Sequence, residues 1–127
     1  MMPAGAKLFL ALGAVLGACG VALGAFGAHA LKARLAADQL ALWNTATQYL
    51  FWHALGVLVV GLACVQLPDS NWLRAAGALL AAGILLFSGS LYLLAFGAPR
   101  VLGAVTPIGG LAFLAGWAAL AIGALRA

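Results

Sequence analysis

Four long apolar stretches, none containing a carboxylate, constrain this chain more than any other feature. A helix rising about 1.5 Å per residue crosses a hydrocarbon layer of roughly 30 Å in about 20 residues. Residues 8–28, 45–67, 75–97 and 107–125 meet that length. The runs are continuously apolar, whereas strands of a membrane barrel alternate between lipid-facing and lumen-facing residues. Helices are the remaining way to satisfy backbone polar groups in lipid. The expected fold is therefore all-α, an integral membrane four-helix bundle with neighbouring spans antiparallel and residues 1–127 forming a single transmembrane domain. Composition agrees, since 67% of residues are hydrophobic and 6% charged, against about 25% charged in an ordinary soluble domain.

The first stretch has a rival reading. Lys7, an apolar run and Leu16-Gly17-Ala18-Cys19 together look like a lipoprotein signal. The apolar run continues past the cysteine to Leu31, however, giving 24 residues from Leu8 interrupted by one histidine, and a signal core is typically about 7–15 residues. Retention as a span is the expectation. Cys19 and Cys64 both lie in apolar segments and read as small hydrophobes.

Pro68-Asp69-Ser70-Asn71-Trp72-Leu73-Arg74 favours a turn between the second and third spans, with Trp72 and Arg74 suited to the membrane interface. Before the fourth span, Thr106-Pro107 reads as a helix start, the threonine capping and the proline at the first helical position. The connector of residues 31–44 contains Lys32, Arg34, Asp38 and Gln39 but neither glycine nor proline. It is expected to be an interfacial helical segment ending near Trp43.

Glycine falls in register. Gly13, Gly17, Gly20, Gly24 and Gly27 are spaced four, three, four and three along the first span, and Gly109, Ala112, Gly116, Ala119 and Gly123 are spaced three, four, three and four along the fourth. Both series keep the period of about 3.5 residues that packed helices share. In lipid, small residues drive association by letting backbones approach, so both seams are predicted helix contacts. The third span carries small or polar residues on two faces: Gly77, Ala81, Ser88, Tyr92 and Ala95 on one, Gly83, Ser90 and Gly97 on the other. So many contact faces point to self-association, and the expected partners are membrane lipid and further copies of the chain, or another membrane protein that it serves as accessory.

The six basic residues are scattered, which excludes the clustered footprint of nucleic-acid binding. Lys7, Arg74 and Arg126 fall on one side of the membrane and Lys32, Arg34 and Arg100 on the other. This three-to-three division selects neither orientation by the positive-inside rule and permits both.

Few groups are candidates for chemistry. An ionisable side chain inside a membrane suggests function, and His53 fits that description better than His29, which can reach the interface. His53 has three readings: an interhelical hydrogen-bond partner, a proton or solute relay, or a ligand of haem or another metal. Asn44, Thr45, Thr47, Gln48 and Tyr49 form a polar set beside it. Acid pairs, nucleophile motifs and phosphate loops are absent, and the glycine series lies inside a span rather than after a strand. The chain thus reads as a nonenzyme without a resident cofactor or metal. The leading function is a noncatalytic accessory or self-assembling scaffold. The alternatives are a small-solute or proton transporter with His53, Gln48, Ser88 and Ser90 along an internal path, and a haem- or metal-binding protein.

Gly24-Ala25-Phe26-Gly27-Ala28-His29-Ala30-Leu31, Trp43 with Thr45-Ala46, Tyr49, His53-Ala54-Leu55, Phe87-Ser88-Gly89-Ser90-Leu91-Tyr92 and Thr106-Pro107-Ile108-Gly109-Gly110 together resemble domain of unknown function family 423, the YgdD-like small inner-membrane proteins. The resemblance covers nearly the whole chain. It implies a bacterial inner membrane and a multi-span helical protein, carries no activity, and nominates His29, Trp43, His53, Ser88, Ser90, Tyr92 and Thr106.

Overall fold

Each apolar stretch is one helix in the computed structural model, which describes residues 1–127. The helices are α1 (Ala4–Leu31), α2 (Ala37–Gln66), α3 (Asn71–Ala95) and α4 (Arg100–Leu125), and all four are long and apolar enough to cross a membrane. No strand is present. The protein is an all-α membrane four-helix bundle, with two antiparallel hairpins joined where α2 packs on α3. The midpoints of the helices fall near Gly17, Phe51, Gly83 and Phe113. Contacts of Gly20 with Phe51, of Ala46 with Ser88 and of Gly83 with Phe113 put those midpoints at about one level. Four spans of similar length place the centre of a membrane near that level by length alone.

Among the glycines of the α1 seam, alternate members make the close approach. A Cβ on Gly13 would stand 2.9 Å from the backbone nitrogen of Leu58, one on Gly20 3.1 Å from the Phe51 ring, and one on Gly27 2.6 Å from Trp43 Nε1. Gly17 has nothing within 4 Å, and Gly24 meets only the Thr47 methyl at 3.5 Å. In α4 the tight positions are again seven apart, with Gly109, Gly116 and Gly123 set against Phe87, Leu80 and Leu73. One position in each seven residues therefore faces the partner helix most closely, the period of left-handed packed helices. The contacts are reciprocal, because Phe9 presses on Gly77, Leu10 on Gly61, Trp117 on Gly56 and Phe113 on Gly83.

Helix ends differ from the sequence expectation in three places. The connector of residues 31–44, expected as an interfacial segment ending near Trp43, is not separate from the second span: the chain turns at residues 32–36, and α2 then runs unbroken from Ala37. Burial of Trp43 accounts for this, since its indole lies in the core at 4% exposure against Gly27 and donates from Nε1 to the Leu23 carbonyl at 3.0 Å. A segment in the headgroup layer would forfeit both contacts. Gln39, assigned to that connector, instead accepts the Ala36 N–H at the start of α2. The third helix begins earlier than expected, at Asn71, because Ser70 caps it by accepting the Leu73 N–H at 3.3 Å. Thr106 is not a cap: residues Arg100–Ala104 wind as a 3-10 turn into the α-helix from Val105, and the threonine hydroxyl is engaged elsewhere. Pro107 still falls in the first α-helical turn, where a missing donor is tolerated.

The α3 helix ends on Gly97, at φ 87°. Ala98 N–H donates to the Leu93 carbonyl and Gly97 N–H to the Leu94 carbonyl, the Schellman pattern that favours glycine at the left-handed position. Two π-helical turns, Gly27–Leu31 in α1 and Ile84–Ser88 in α3, interrupt the regular winding.

Candidate functional site

The polar side chains inside the bundle sort into three places. The first is a clasp in the half of the bundle that holds the residue 32–36 turn. Thr47 Oγ1 donates back to the Trp43 carbonyl or shares its proton with Tyr92 Oη, standing 3.0 and 2.7 Å from the two. Ser88 Oγ donates to the Ala46 carbonyl at 2.7 Å, and Ser90 Oγ lies 2.5 Å from Thr106 Oγ1. With Trp43 on Leu23, these bonds tie α1 to α2, α2 to α3 and α3 to α4. The Trp43 indole also centres an aromatic cluster, 4.4 Å from the Tyr92 ring, 5.6 Å from Phe96 and 5.9 Å from Phe26. The other half of the bundle packs by apolar contact around Phe9, Cys64, Leu73 and Ala76, with the Arg126 guanidinium 5.8 Å from the Trp72 ring at its end.

The second place surrounds His53, two residues from the membrane centre. Its ring stacks on Phe113 at 3.6 Å and 14°, runs nearly parallel to Tyr49 at 5.8 Å, and stands 5.7 Å from Trp117. Nδ1 lies 2.7 Å from the Tyr49 carbonyl oxygen. A carbonyl only accepts, so Nδ1 carries a proton, and the neutral ring then offers Nε2 as an acceptor. Nε2 has no partner within the chain. No fully enclosed side-chain nitrogen or oxygen lacks a hydrogen bond, so Nε2 opens into the groove of about 600 Å³ that His53 lines with Tyr49, Phe87, Phe113, Leu114 and Trp117.

The third place is a shallow groove of about 510 Å³ between α1 and α2, where Gly20, Gly24 and Ala25 face Asn44, Gln48 and Trp52. Both amides are exposed and lack hydrogen-bond partners in the chain.

The nominated residues therefore do not converge. Trp43, Ser88, Ser90, Tyr92 and Thr106 belong to the clasp, Tyr49 and His53 to the midplane groove, and Gln48 to the outer groove. His29 is exposed in the π turn at the end of α1, about 15 Å from His53 along the helix direction. No three histidine, cysteine or acidic side chains come together. An internal path through His53, Gln48, Ser88 and Ser90 is not formed, because Gln48 points outward and each serine is committed to a neighbouring helix. Phe87, Phe113 and Trp117 are not among the site residues that the sequence nominates. Phe87 stands in the Phe87–Tyr92 motif beside the serines, whereas Phe113 and Trp117 have neither charge nor motif to mark them and are one turn apart on α4.

Residues 23–110 match the protein family described as "Protein of unknown function (DUF423)". A UPF0382 membrane protein of Staphylococcus epidermidis is 46% identical over 121 residues, covering 94% of this chain and 97% of its own. The UPF0382 membrane protein YwdK of Bacillus subtilis is 42% identical over 120 residues, covering 94% and 98%. The UPF0382 inner membrane protein YgdD of Escherichia coli is also 42% identical over 120 residues, covering 94% and 91%. No solved structure matches. Four spanning helices and relatives matched along nearly their full length lead to one assignment: this chain is a multi-span inner-membrane protein belonging to the DUF423 family.

Proposed function

We propose that this protein is a noncatalytic membrane scaffold that associates with further copies of itself through the outward face of α1 and α2. The observation that carries the reading is the pair of exposed amides, Asn44 and Gln48, one turn apart and without partners. Gln48 sits about 5 Å and Asn44 about 10 Å from the membrane centre, inside a hydrocarbon half-thickness of roughly 15 Å. An unsatisfied amide at that depth is costly. A second helix brought against the adjoining Gly20 and Gly24 would place its own backbone or amides within bonding distance.

A single cysteine placed by Ala25→Cys, at an exposed position that lines this groove, reports on this face. With Cys19→Ser and Cys64→Ser as background, a membrane-permeant bismaleimide is expected to join copies in native membranes. Gln48→Leu should weaken association about tenfold, the scale of one or two interhelical hydrogen bonds. Only monomer in every membrane preparation, or equal crosslinking with and without Gln48, would remove the scaffold reading.

A further inference from the structure

The midplane groove has features that helix packing does not require. Its walls are almost wholly apolar and aromatic, yet His53, only 6% exposed, turns an unpartnered ring nitrogen toward it. The Nδ1 contact with the Tyr49 carbonyl fixes the tautomer and holds the imidazole flat against Phe113. Nε2 is thereby presented as an acceptor that no donor of the chain engages, the Tyr49 hydroxyl and the Trp117 indole N–H of the same lining making no bond to it. Glycine on both sides makes room for this arrangement, since a Cβ on Gly56 would come within 3.0 Å of Trp117, and one on Gly83 would strike Phe113.

Hydrogen-bond complementarity defines the occupant. An acceptor buried among ring faces selects a molecule that brings one donor and otherwise apolar surface. A volume of about 600 Å³ lies in the range of about 300–1,000 Å³ usual for small-molecule sites. The rings of Phe87, Phe113 and Trp117 favour a flat partner in offset or edge contact. Because the groove opens sideways at the level of the membrane centre, its ligand must arrive through the lipid.

The geometry points to a binding site for a lipid-soluble aromatic alcohol, whose hydroxyl donates to His53 Nε2 while its ring lies among Phe87, Phe113 and Trp117. The proposal uses a different surface from the scaffold interface and stands or falls separately from it.

Naphthol and its methyl ether are the discriminating probes, because they share a ring system and only the alcohol has a proton to donate. Each is titrated into full-length protein in nanodiscs, with empty nanodiscs as the partition control and the imidazole of His53 observed by nitrogen NMR. Naphthol is expected to bind saturably, at least about tenfold more tightly than the ether, and to shift the Nε2 resonance. His53→Phe, which keeps a ring against Phe113 without the acceptor, should reduce the preference to less than about twofold. Leu114→Trp fills the groove from its exposed rim and should abolish saturable binding of both probes while leaving the His53–Tyr49 bond intact. Equal affinity for alcohol and ether, an unmoved Nε2 resonance, or undiminished binding in Leu114→Trp would overturn the proposal. So would an Nε2 resonance that tracks the protein-to-lipid ratio and ignores naphthol, since a second copy would then fill the groove. If His53→Phe fails to fold, the wild-type resonance and Leu114→Trp decide the question.

Discussion

Gly109→Ala is the most direct test of backbone proximity as the force holding the second hairpin. The added methyl would stand 2.8 Å from both Cα and Cβ of Phe87 and closer still to its amide nitrogen. Carbon atoms pack at about 3.5–4.0 Å, so the helices must separate by about 1 Å, and the obstacle is backbone that no rotamer change can move. Overpacking of this kind costs about 1–3 kcal/mol. Stretching the adjacent Ser90–Thr106 contact adds about 0.6 kcal/mol, while replacing a helical glycine by alanine returns up to about 1 kcal/mol. The net expectation is about 2 kcal/mol of destabilisation, roughly a thirtyfold shift in the unfolding equilibrium. Gly17→Ala is the matched control, because nothing lies within 4 Å of the new methyl. It should be neutral or stabilise by up to about 1 kcal/mol. Reversible unfolding in mixed micelles, at dilution that keeps the protein monomeric, reads both changes by far-ultraviolet circular dichroism. Equal effects at the two sites, or a neutral Gly109→Ala, would refute the argument.

Ser88→Ala should lower stability by about 0.6 kcal/mol, the average interhelical bond in a membrane, because the Ala46 carbonyl already has a partner within its own helix; unfolding in the same micelles measures it. Trp43→Phe keeps a ring against Tyr92 but removes the donor to Leu23. It should cost about 1–2 kcal/mol and speed amide exchange at the α1 end of the clasp. Reporter fusions at Ala127 are expected to appear on both sides of the membrane, and one clean side would exclude dual insertion.

The spans were legible in the sequence because lipid demands long, uncharged, hydrogen-bonded segments, and that demand is written in each residue's polarity. The glycine seams were legible as a period. Which members touch was not, because the facing and edge positions of a heptad differ by a helix rotation that only the partner fixes; Gly13 and Gly17 look alike until Leu58 is in place. The continuity of the connector with the second span was hidden for a similar reason. Trp43 suits a headgroup layer and a buried contact equally well, and its destination depends on Gly27, sixteen residues away. His53 stood out as an ionisable group in a span, whereas its neighbours Phe113 and Trp117 are indistinguishable by type from lipid-facing aromatics. The π turn at Ile84–Ser88 leaves no mark in the sequence, although the two faces that Ser88 turns to α2 and Ser90 to α4 were legible from their spacing.

The alternation of glycine-bearing and bulky helices keeps the same plan from either end of the chain. The outer helices supply the small residues, the inner two supply Leu58, Phe51 and Trp43 or Phe87, Leu80 and Leu73, and a ring from each outer helix reaches across to the far inner one, Phe9 to Gly77 and Trp117 to Gly56. The packing of α1 on α2 thus repeats in that of α4 on α3. What sets one half of the bundle apart inside the helices is the polar clasp, which lies toward the residue 32–36 turn and leaves the half nearest the termini without an interhelical hydrogen bond.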